Sequence, residues 1–254
     1  MSRLAGKTAV LTGAAGGMGR VACRRFCAEG ATVLGTDLDE ASGRALEEEL
    51  RDDGLEFEFH GCDVTSSVEV AALGRLVQER FGALDVLYNN AGVVLAKPIA
   101  ETTDEEWDRV LNVNLRGAFY TMRTLVPLMS GRQAAVVNVA SGLGLVGEPQ
   151  LAAYCASKGG LVLLTKAAAL ELGPEIRVNA ICPGVIDTPM PHDALATLPS
   201  EVGAAVLAGW EEQHIAGRLG TPEEVVALAV FLASDEASFI TGAAIPVDSG
   251  VTAR

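Results

Sequence analysis

The stretch Thr12-Gly13-Ala14-Ala15-Gly16-Gly17-Met18-Gly19 follows a short apolar run at residues 7–11 and precedes a helical pattern at about 20–29. A strand, a glycine-rich turn and a helix in this order bring backbone N–H groups and a helix N-terminus to one point, where they bind phosphate groups. Glycine is required where the backbone approaches a ligand closely or adopts positive φ. We therefore expect a pyrophosphate to lie against Gly13, Gly17, Met18 and Gly19.

Asp37 ends the second predicted strand, at residues 32–36, eighteen residues beyond the last glycine of that stretch. A carboxylate there accepts hydrogen bonds from the hydroxyls of an adenosine ribose and repels a 2′-phosphate. Neither Ala14 nor Ala15 supplies a positive charge for such a phosphate, so the sequence favours NAD over NADP. As an alternative, Asp37 is the N-cap of the next helix, although Asp39 is better placed for that role.

Tyr154 and Lys158 lie four residues apart, on one face of a predicted helix, and Ser141 precedes the tyrosine by thirteen residues. A phenol has a pKa of about 10 and is a poor base at neutral pH. A fixed ammonium beside it favours the phenolate and lowers that pKa, which suits proton transfer near neutrality. A lone Tyr-x-x-x-Lys pair also occurs on ordinary amphipathic helices, so the surrounding motifs decide what the pair does.

Several motifs in this order resemble the classical short-chain dehydrogenase/reductase family, and the resemblance covers nearly the whole chain. The glycine-rich stretch matches the cofactor loop, and Ser141, Tyr154 and Lys158 match the catalytic serine, tyrosine and lysine. The other matching residues are Asp63 and Val64 at the adenine ring, Asn89 with Asn90, Ala91 and Gly92 at the central sheet beside the cofactor, Asn114 as the active-site asparagine, and Pro183, Gly184, Ile186 and Thr188 at the nicotinamide end.

The resemblance implies a role for each polar group near the substrate. Tyr154 would exchange a proton with the substrate oxygen, Ser141 would hydrogen-bond the same oxygen, and Lys158 would lower the pKa of Tyr154 and bind the nicotinamide ribose. Asn114 would hold a water that links Lys158 to solvent. Two structural alternatives stay open: Asn114 satisfies backbone groups at a helix kink, and Ser141 forms a turn with Gly142, which stands where many relatives carry a second serine.

Short β-branched runs alternate with helical patterns along the chain, which predicts a parallel sheet with helices on both faces. We expect one doubly wound (Rossmann) α/β domain over residues 1–254. The predicted strands lie at 7–11, 32–36, 56–62, 86–89, 135–140, 177–182 and 244–247, and the predicted helices at 20–29, 40–52, 66–81, 103–129, 154–173 and 222–233.

Residues 188–210 correspond to the segment that forms a lid over the substrate in the family. Its side chains are mainly apolar, which suits a medium-sized, partly apolar ketone or secondary alcohol such as a cyclic alcohol or a hydroxysteroid. Ordinary packing of a short helix is an alternative of equal weight. Glu148 and Gln150 add polar groups in the loop before Tyr154. The apolar lid residues are Met190, Leu195, Leu198, Val202, Val206, Leu207 and Trp210.

The composition excludes several partners. The formal net charge is −14, from 33 acidic and 19 basic residues, which argues against nucleic acid and anionic membranes as partners. No run of 18 apolar residues and no N-terminal signal is visible, so we expect a cytosolic protein.

The cysteines and histidines are scattered. Five cysteines without Cys-x-x-Cys spacing are typical of buried, reduced thiols. His60, His192 and His214 are far apart in sequence, so we expect no catalytic metal.

Three functions remain open on the sequence. The leading one is an NAD-dependent secondary-alcohol dehydrogenase or ketone reductase. The resemblance implies that it forms a homotetramer, with the helices at about 103–129 and 154–173 packing against a partner. The second is an NADPH-dependent 3-oxoacyl-(acyl-carrier-protein) reductase, which Asp37 and the acidic surface disfavour, although Arg123 and Arg132 would give a local basic spot. The third is a non-catalytic dinucleotide-binding regulator, which usually lacks one of the four catalytic groups that this chain retains.

Overall fold

The computed structural model describes residues 2–129, 133–196 and 199–253. Within them, parallel strands form one seven-stranded sheet in the order β3-β2-β1-β4-β5-β6-β7. This order confirms the predicted doubly wound sheet. The strands are β1 (Thr8–Thr12), β2 (Thr32–Asp37), β3 (Phe57–Gly61), β4 (Val86–Asn89), β5 (Ala134–Val139), β6 (Ile176–Pro183) and β7 (Ala244–Val247).

The helices lie on both faces of the sheet, and each of the six predicted helices is present, although α1 begins three residues early and two further helices form in the predicted lid. The predicted helix at 103–129 is interrupted by a π-helical segment, Asn112–Gly117, and ends in a 3₁₀ turn, Val126–Leu128. The α-helices are α1 (Gly17–Ala28), α2 (Glu40–Asp52), α3 (Ser67–Phe81), α4 (Asp104–Leu111), α5 (Ala118–Leu125), α6 (Ala152–Leu172), α7 (Pro189–Ala196), α8 (Ser200–Gln213) and α9 (Pro222–Ala233).

Two apolar cores cover the two faces of the sheet because successive strand residues point to opposite sides. Leu11 on β1 packs with Phe26 of α1 and Val226 of α9 in one core. Its neighbour Val10 packs with Leu73 of α3 in the other core. All five cysteines are free, as predicted, and all except the partly exposed Cys155 are buried.

A buried chain of hydrogen bonds joins the two central strands to the helices that cover them. Asn89 Nδ2 on β4 donates to Asn138 Oδ1 on β5 (2.9 Å), and Asn138 Nδ2 donates to Thr165 Oγ1 on α6 (2.9 Å). The Thr121 hydroxyl on α5 donates to Asn89 Oδ1 (2.7 Å). Burial leaves these groups no water to replace a lost partner, so the network fixes the helices against the strands that carry the site.

Replacing Asn138 with alanine is expected to lower the free energy of unfolding by about 3 kcal/mol, because it removes two buried hydrogen bonds and leaves Asn89 Nδ2 without its acceptor. Equilibrium unfolding in urea measures the change. The Asn89→Ala/Asn138→Ala double variant should lose less than the sum of its single variants, since the two side chains share one bond. Strict additivity would show that the bond contributes nothing.

Candidate active site

The glycine-rich turn after β1 has the close backbone packing that its sequence predicts. Gly13 has φ +66°, and a Cβ there would lie 2.8 Å from Ala91 Cα. A Cβ at Gly19 would collide with the Gly13 carbonyl oxygen. These glycines let the turn pack against the segment after β4, so side chains at either position would force the loops apart.

Thr12 and Asn90 tie that turn to the end of β4, at the place where the order of strands reverses. The backbone N–H groups of Asn90 and Ala91 both donate to Thr12 Oγ1, at 3.0 and 3.1 Å. Asn90 Nδ2 donates to the carbonyl oxygens of Thr12 (3.2 Å) and Gly13 (3.1 Å). The sequence marked Asn90 and Ala91 as site residues but missed Thr12, which holds both.

The N-terminus of α1, like that of α6, lacks the side-chain cap with which α2, α3, α4 and α9 begin. Asp39, Ser66, Thr103 and Thr221 accept a backbone N–H at the start of α2, α3, α4 and α9. Helix α1 begins after Gly16 with no side-chain cap and no acidic residue in its first turn. Unpaired N–H groups and a positive helix end suit a pyrophosphate. Asn90 Oδ1 is also buried beside this turn without a hydrogen-bond partner.

Asp37 lies at the end of β2, next to the glycine-rich turn. Ala15 N–H donates to its Oδ2 (3.0 Å), and Asp39 N–H donates to its Oδ1 (3.1 Å). Asp39 accepts the N–H of Ser42 (3.0 Å) and is the cap of α2, as predicted. Each Asp37 oxygen retains a second lone pair for another donor.

The predicted adenine residues follow β3. Asp63 Oδ1 accepts both the N–H and the hydroxyl of Thr65, each at 2.8 Å. Val64 is buried and packs against the π-helical segment, since a Cβ at Gly117 would lie 2.9 Å from Val64 Cγ2. Asp63 therefore shapes this turn, and Val64 presents an apolar side chain beside it.

Ser141, Tyr154 and Lys158 come together at the carboxyl ends of the central strands. Ser141 lies just beyond β5, is buried, and accepts the Leu143 N–H at its Oγ (3.1 Å), so it also forms the turn proposed as its structural alternative. Tyr154 and Lys158 share a face of α6, with Lys158 Nζ 5.8 Å from the centre of the phenol ring. The geometry places a hydroxyl, a phenol and an ammonium around one point.

Burial shifts the pKa values of Tyr154 and Lys158. Burial raises the pKa of the Tyr154 phenol, and a hydrogen bond with Ser141 only partly offsets the rise. Burial also lowers the pKa of Lys158 to about 8. Lys158 Nζ donates to the Val139 carbonyl oxygen (2.8 Å). Desolvation is the largest influence on the pKa of both groups, and the lowering of the Tyr154 pKa by Lys158 stays a prediction.

Asn114 lies in the π-helical segment and is almost fully buried. Its Oδ1 accepts the Val93 N–H (2.8 Å), and its Nδ2 donates to the Val93 carbonyl oxygen (2.8 Å) and to Ser157 Oγ (3.0 Å). This is the predicted structural alternative, a side chain that satisfies backbone groups at a helix irregularity. Asn114 Oδ1 and Lys158 Nζ also border one gap, because a Cβ at Gly92 would lie 3.4 Å from each.

The segment after β6 faces the glycine-rich turn. Gly220 N–H donates to the Val185 carbonyl oxygen (3.0 Å), and Asp187 N–H donates to the Gly220 carbonyl oxygen (2.8 Å). A Cβ at Gly17 would lie 2.8 Å from Pro189 Cδ and 3.1 Å from Thr188 Cβ. Thr188 and Pro189 therefore lie across a narrow gap from the start of α1, and Pro183, Gly184 and Ile186 precede them on the same segment.

The predicted lid forms the two helices α7 and α8. Of its described residues only Gly203 is buried, and Met190 and Val202 are 42% and 48% exposed. A cavity of about 400 Å³ lies between the helices and is lined by residues that include Leu195 and Leu207. Leu198 lies outside the described residues.

The loop between Ser141 and Tyr154 has one strained residue. Gln150 has φ +64°, and its carbonyl oxygen accepts the Lys97 N–H (2.7 Å). The side chains of Glu148 and Gln150 are exposed. This bond joins the two loops that flank the catalytic group.

Two features are absent from the part of the chain that the structure describes. No three His, Cys, Asp or Glu side chains there form a metal-binding group. None of its helices has both the length and the apolar character needed to cross a bilayer.

Replacing Lys158 with methionine is expected to raise the free energy of unfolding of the cofactor-free protein by about 2 kcal/mol at pH 7. The fall in pKa to about 8 corresponds to a burial cost of about 3 kcal/mol for the charged form, and the lost bond to Val139 offsets about 1 kcal/mol. That cost is present below pH 8, where Lys158 is charged in both folded and unfolded protein. It shrinks as pH rises from 8 towards the unfolded value of about 10.4.

Urea unfolding at pH 7 and pH 10 measures this effect, with Lys166→Met as the matched control because Lys166 is exposed on the same helix. We expect the Lys158 variant to gain less stability at pH 10 than at pH 7, and the Lys166 variant to change little at either pH. A Lys158 variant no more stable than the wild type at pH 7 would contradict the burial cost.

The dinucleotide-type fold, the serine, tyrosine and lysine at the carboxyl ends of its strands, and the dehydrogenases among similar proteins define the class of this protein as an oxidoreductase. The family model described as Enoyl-(Acyl carrier protein) reductase matches residues 13–252. The chain belongs to the short-chain dehydrogenase/reductase family, as the sequence motifs predicted.

Similar proteins span the whole chain. The chain is 40% identical to a cyclopentanol dehydrogenase of Comamonas sp., covering 100% of both proteins. It is 38% identical to a 3-oxoacyl-(acyl-carrier-protein) reductase of Thermotoga maritima, covering 98% of this chain and 99% of that protein. Among solved structures, the aldohexose dehydrogenase of Thermoplasma acidophilum in ligand-free form superposes with a TM-score of 0.90 at 33% identity, over 100% of this chain and 96% of that one.

Proposed function

We propose that this protein is an NAD-dependent dehydrogenase that interconverts a secondary alcohol and a ketone. The observation that carries the proposal is the convergence of Ser141, Tyr154 and Lys158 beside the glycine-rich turn. A phenol and a hydroxyl at one point suit a substrate oxygen that gains or loses a proton while the adjacent carbon exchanges a hydride.

The residues around the crevice suit a dinucleotide from one end to the other. The uncapped start of α1 suits the pyrophosphate, and Asp37 suits the ribose hydroxyls of NAD. NAD, when bound, supplies or accepts the hydride. We assign to its binding Gly13, Gly17, Met18, Gly19, Asp37, Asp63, Val64, Asn90, Ala91, Gly92, Tyr154, Lys158, Pro183, Gly184, Ile186 and Thr188.

The protein's own groups handle the proton. Tyr154 takes the proton from the alcohol during oxidation and returns it to the ketone oxygen during reduction. Ser141 hydrogen-bonds the same oxygen and orients it. Lys158, in its charged form, favours the phenolate. Asn114 and Lys158 border the gap at Gly92, which supports a water-mediated exit for the proton.

The substrate we propose is a medium-sized, partly apolar alcohol, with cyclic alcohols as the first class to test. Met190 and Val202 on the lid and Leu145 in the loop after Ser141 are exposed and offer apolar surface for a substrate. The similarity to a cyclopentanol dehydrogenase over the full length supports a cyclic secondary alcohol.

An NADPH-dependent 3-oxoacyl-(acyl-carrier-protein) reductase is the second candidate, because the Thermotoga maritima relative carries that name. Asp37 argues against NADPH. Arg123, proposed for carrier docking, stacks over the rings of Phe119 and Tyr120. Arg132 lies outside the described residues. A non-catalytic regulator is disfavoured because all four catalytic side chains are present.

The test is oxidation of a panel of secondary alcohols with NAD and NADP. The panel contains cyclic alcohols, hydroxysteroids, polyols and 3-hydroxyacyl thioesters. Turnover of cyclic alcohols with NAD supports the proposal. Preferential turnover of thioesters with NADP supports the second candidate, and dinucleotide binding without any turnover supports the regulator.

We propose a homotetramer in the cytosol as the working form. Leu163 and Leu170 on α6 are 66% and 88% exposed, and Phe119 on α5 is 43% exposed, which supports subunit packing through these helices. Five free cysteines support a reducing compartment. Light scattering that gives a mass of one subunit would contradict the tetramer.

A further inference from the structure

His214 is a buried histidine at the end of the lid, and both of its ring nitrogens are engaged. Its Nδ1 lies 2.6 Å from the Trp210 carbonyl oxygen at the end of α8, and Val185 N–H donates to its Nε2 (3.2 Å). A carbonyl can only accept and an N–H can only donate, so the proton sits on Nδ1 and Nε2 is the acceptor. The neutral ring bridges α8 to the segment after β6.

The bridge ends at the segment proposed to receive the nicotinamide. A Cβ at Gly184 would lie 2.6 Å from His214 Nε2, so this approach requires glycine. On the other side, Gly220 N–H donates to the Val185 carbonyl oxygen (3.0 Å). Val185 is therefore held from two directions, by Gly220 through its carbonyl and by His214 through its N–H.

The residues after His214 are anchored to the C-terminal turn. Ile215 N–H donates to the Ser249 carbonyl oxygen (2.9 Å), and Ala216 N–H donates to Ser249 Oγ (2.8 Å). Ser249 has φ +49°, and Asp248 stabilises the turn by accepting from Gly250 and Thr252. One end of the lid is thus fixed at His214, whereas the described parts of α7 and α8 are largely exposed.

We infer that His214 is a positioning residue that couples the lid to the nicotinamide segment. A displacement of α8 moves the His214 ring, and movement of the ring displaces Val185 or breaks the hydrogen bond from its N–H. The position of the lid and the residence time of the dinucleotide then change together. The inference rests on the proposed function for its effect on dinucleotide binding, but the hydrogen-bond bridge itself can be tested without cofactor.

Two substitutions separate the bridge from simple packing. His214→Phe keeps a ring of similar size and removes both hydrogen bonds. His214→Gln restores a side-chain oxygen that can accept the Val185 N–H. We expect the phenylalanine variant to release NADH about tenfold faster in stopped-flow fluorescence, and the glutamine variant to recover most of that loss. Ile215→Ala is the control, because Ile215 is 85% exposed beside the bridge.

Hydrogen exchange in the cofactor-free protein provides the second readout. The backbone around Val185 should exchange faster in His214→Phe than in the wild type and the Ile215→Ala control, and His214→Gln should again lie close to the wild type. If His214→Phe fails to fold, wild-type behaviour of His214→Gln together with fast exchange in His214→Ala supports the bridge.

Equal exchange and equal NADH release in His214→Phe and the wild type would overturn the inference. A wild type that binds neither NADH nor NADPH would contradict the proposed function, while the exchange comparison would still decide whether the bridge exists.

Discussion

Replacing Tyr154 with phenylalanine is expected to lower kcat by about 10³-fold or more, while the Kd for NADH rises by less than about tenfold, the effect of one lost hydrogen bond. The phenol is the group placed to exchange a proton with the substrate oxygen, and a positioned general acid or base contributes about 10² to 10⁴ in rate. Phenylalanine preserves the ring on α6 and its contact with Lys158 (5.8 Å). The loss should therefore fall mainly on chemistry, and only the contact of the Tyr154 hydroxyl with the cofactor is removed from binding.

The control is Tyr120→Phe, because Tyr120 is partly exposed on α5 and takes no part in the proposed reaction. Steady-state kinetics measures kcat, and fluorescence titration measures the Kd for NADH. Residual turnover within tenfold of the wild type in Tyr154→Phe would show that another group moves the proton. Ser141, which is buried and hydrogen-bonded to the phenol, would then be the first candidate.

The direction of the reaction decides how its rate depends on pH. Alcohol oxidation needs the phenolate, and burial raises the pKa of Tyr154 in the cofactor-free protein. The oxidation rate should therefore rise with pH as the phenol loses its proton, whereas ketone reduction, which needs the phenol, should fall over the same range. Lys158 must stay charged to favour the phenolate, and its pKa of about 8 in the cofactor-free protein shows how much burial opposes that charge.

Much of the fold follows from local sequence signals. β-Branched runs mark the strands, and the glycines of the first turn are needed because a Cβ at Gly13 or Gly19 would clash with neighbouring backbone. The π-helical segment Asn112–Gly117 interrupts the predicted helix at 103–129, and a residue of this segment, Asn114, makes contacts with a distant part of the chain. Asn114 hydrogen-bonds both the N–H and the carbonyl oxygen of Val93, twenty-one positions away. The sequence of the helix does not identify Val93 as the partner.

The pKa shifts of Tyr154 and Lys158 and the hydrogen-bond bridge at His214 could likewise not be predicted from the sequence. The four-residue spacing of Tyr154 and Lys158 places them on one face, but their pKa shifts depend on how deeply the fold buries them. His214 carries no motif spacing, and Val185, which donates to it, is twenty-nine positions away. Long-range burial and pairing decide such roles, and only the folded chain shows them.

The double variant Asp37→Ser/Leu38→Arg is expected to change its cofactor preference. We expect the ratio of kcat/KM with NAD to kcat/KM with NADP to fall by about 100-fold or more. Two like charges about 4 Å apart repel by about 4 kcal/mol at an effective dielectric constant of 20, and 100-fold corresponds to about 3 kcal/mol. Leu38 is 73% exposed beside Asp37, so an arginine there can reach a 2′-phosphate without displacing core residues.

Asp37→Asn is the control that separates charge from loop structure. Asp37 also accepts the Ala15 N–H (3.0 Å), so its loss loosens the glycine-rich turn and weakens both cofactors alike. Asparagine keeps an acceptor for that N–H and removes the charge. We expect it to reduce discrimination against NADP by at least about tenfold while largely preserving the Kd for NAD. A wild type that already prefers NADP would contradict the assignment of Asp37, because the Asp37 carboxylate is expected to repel the 2′-phosphate of NADP.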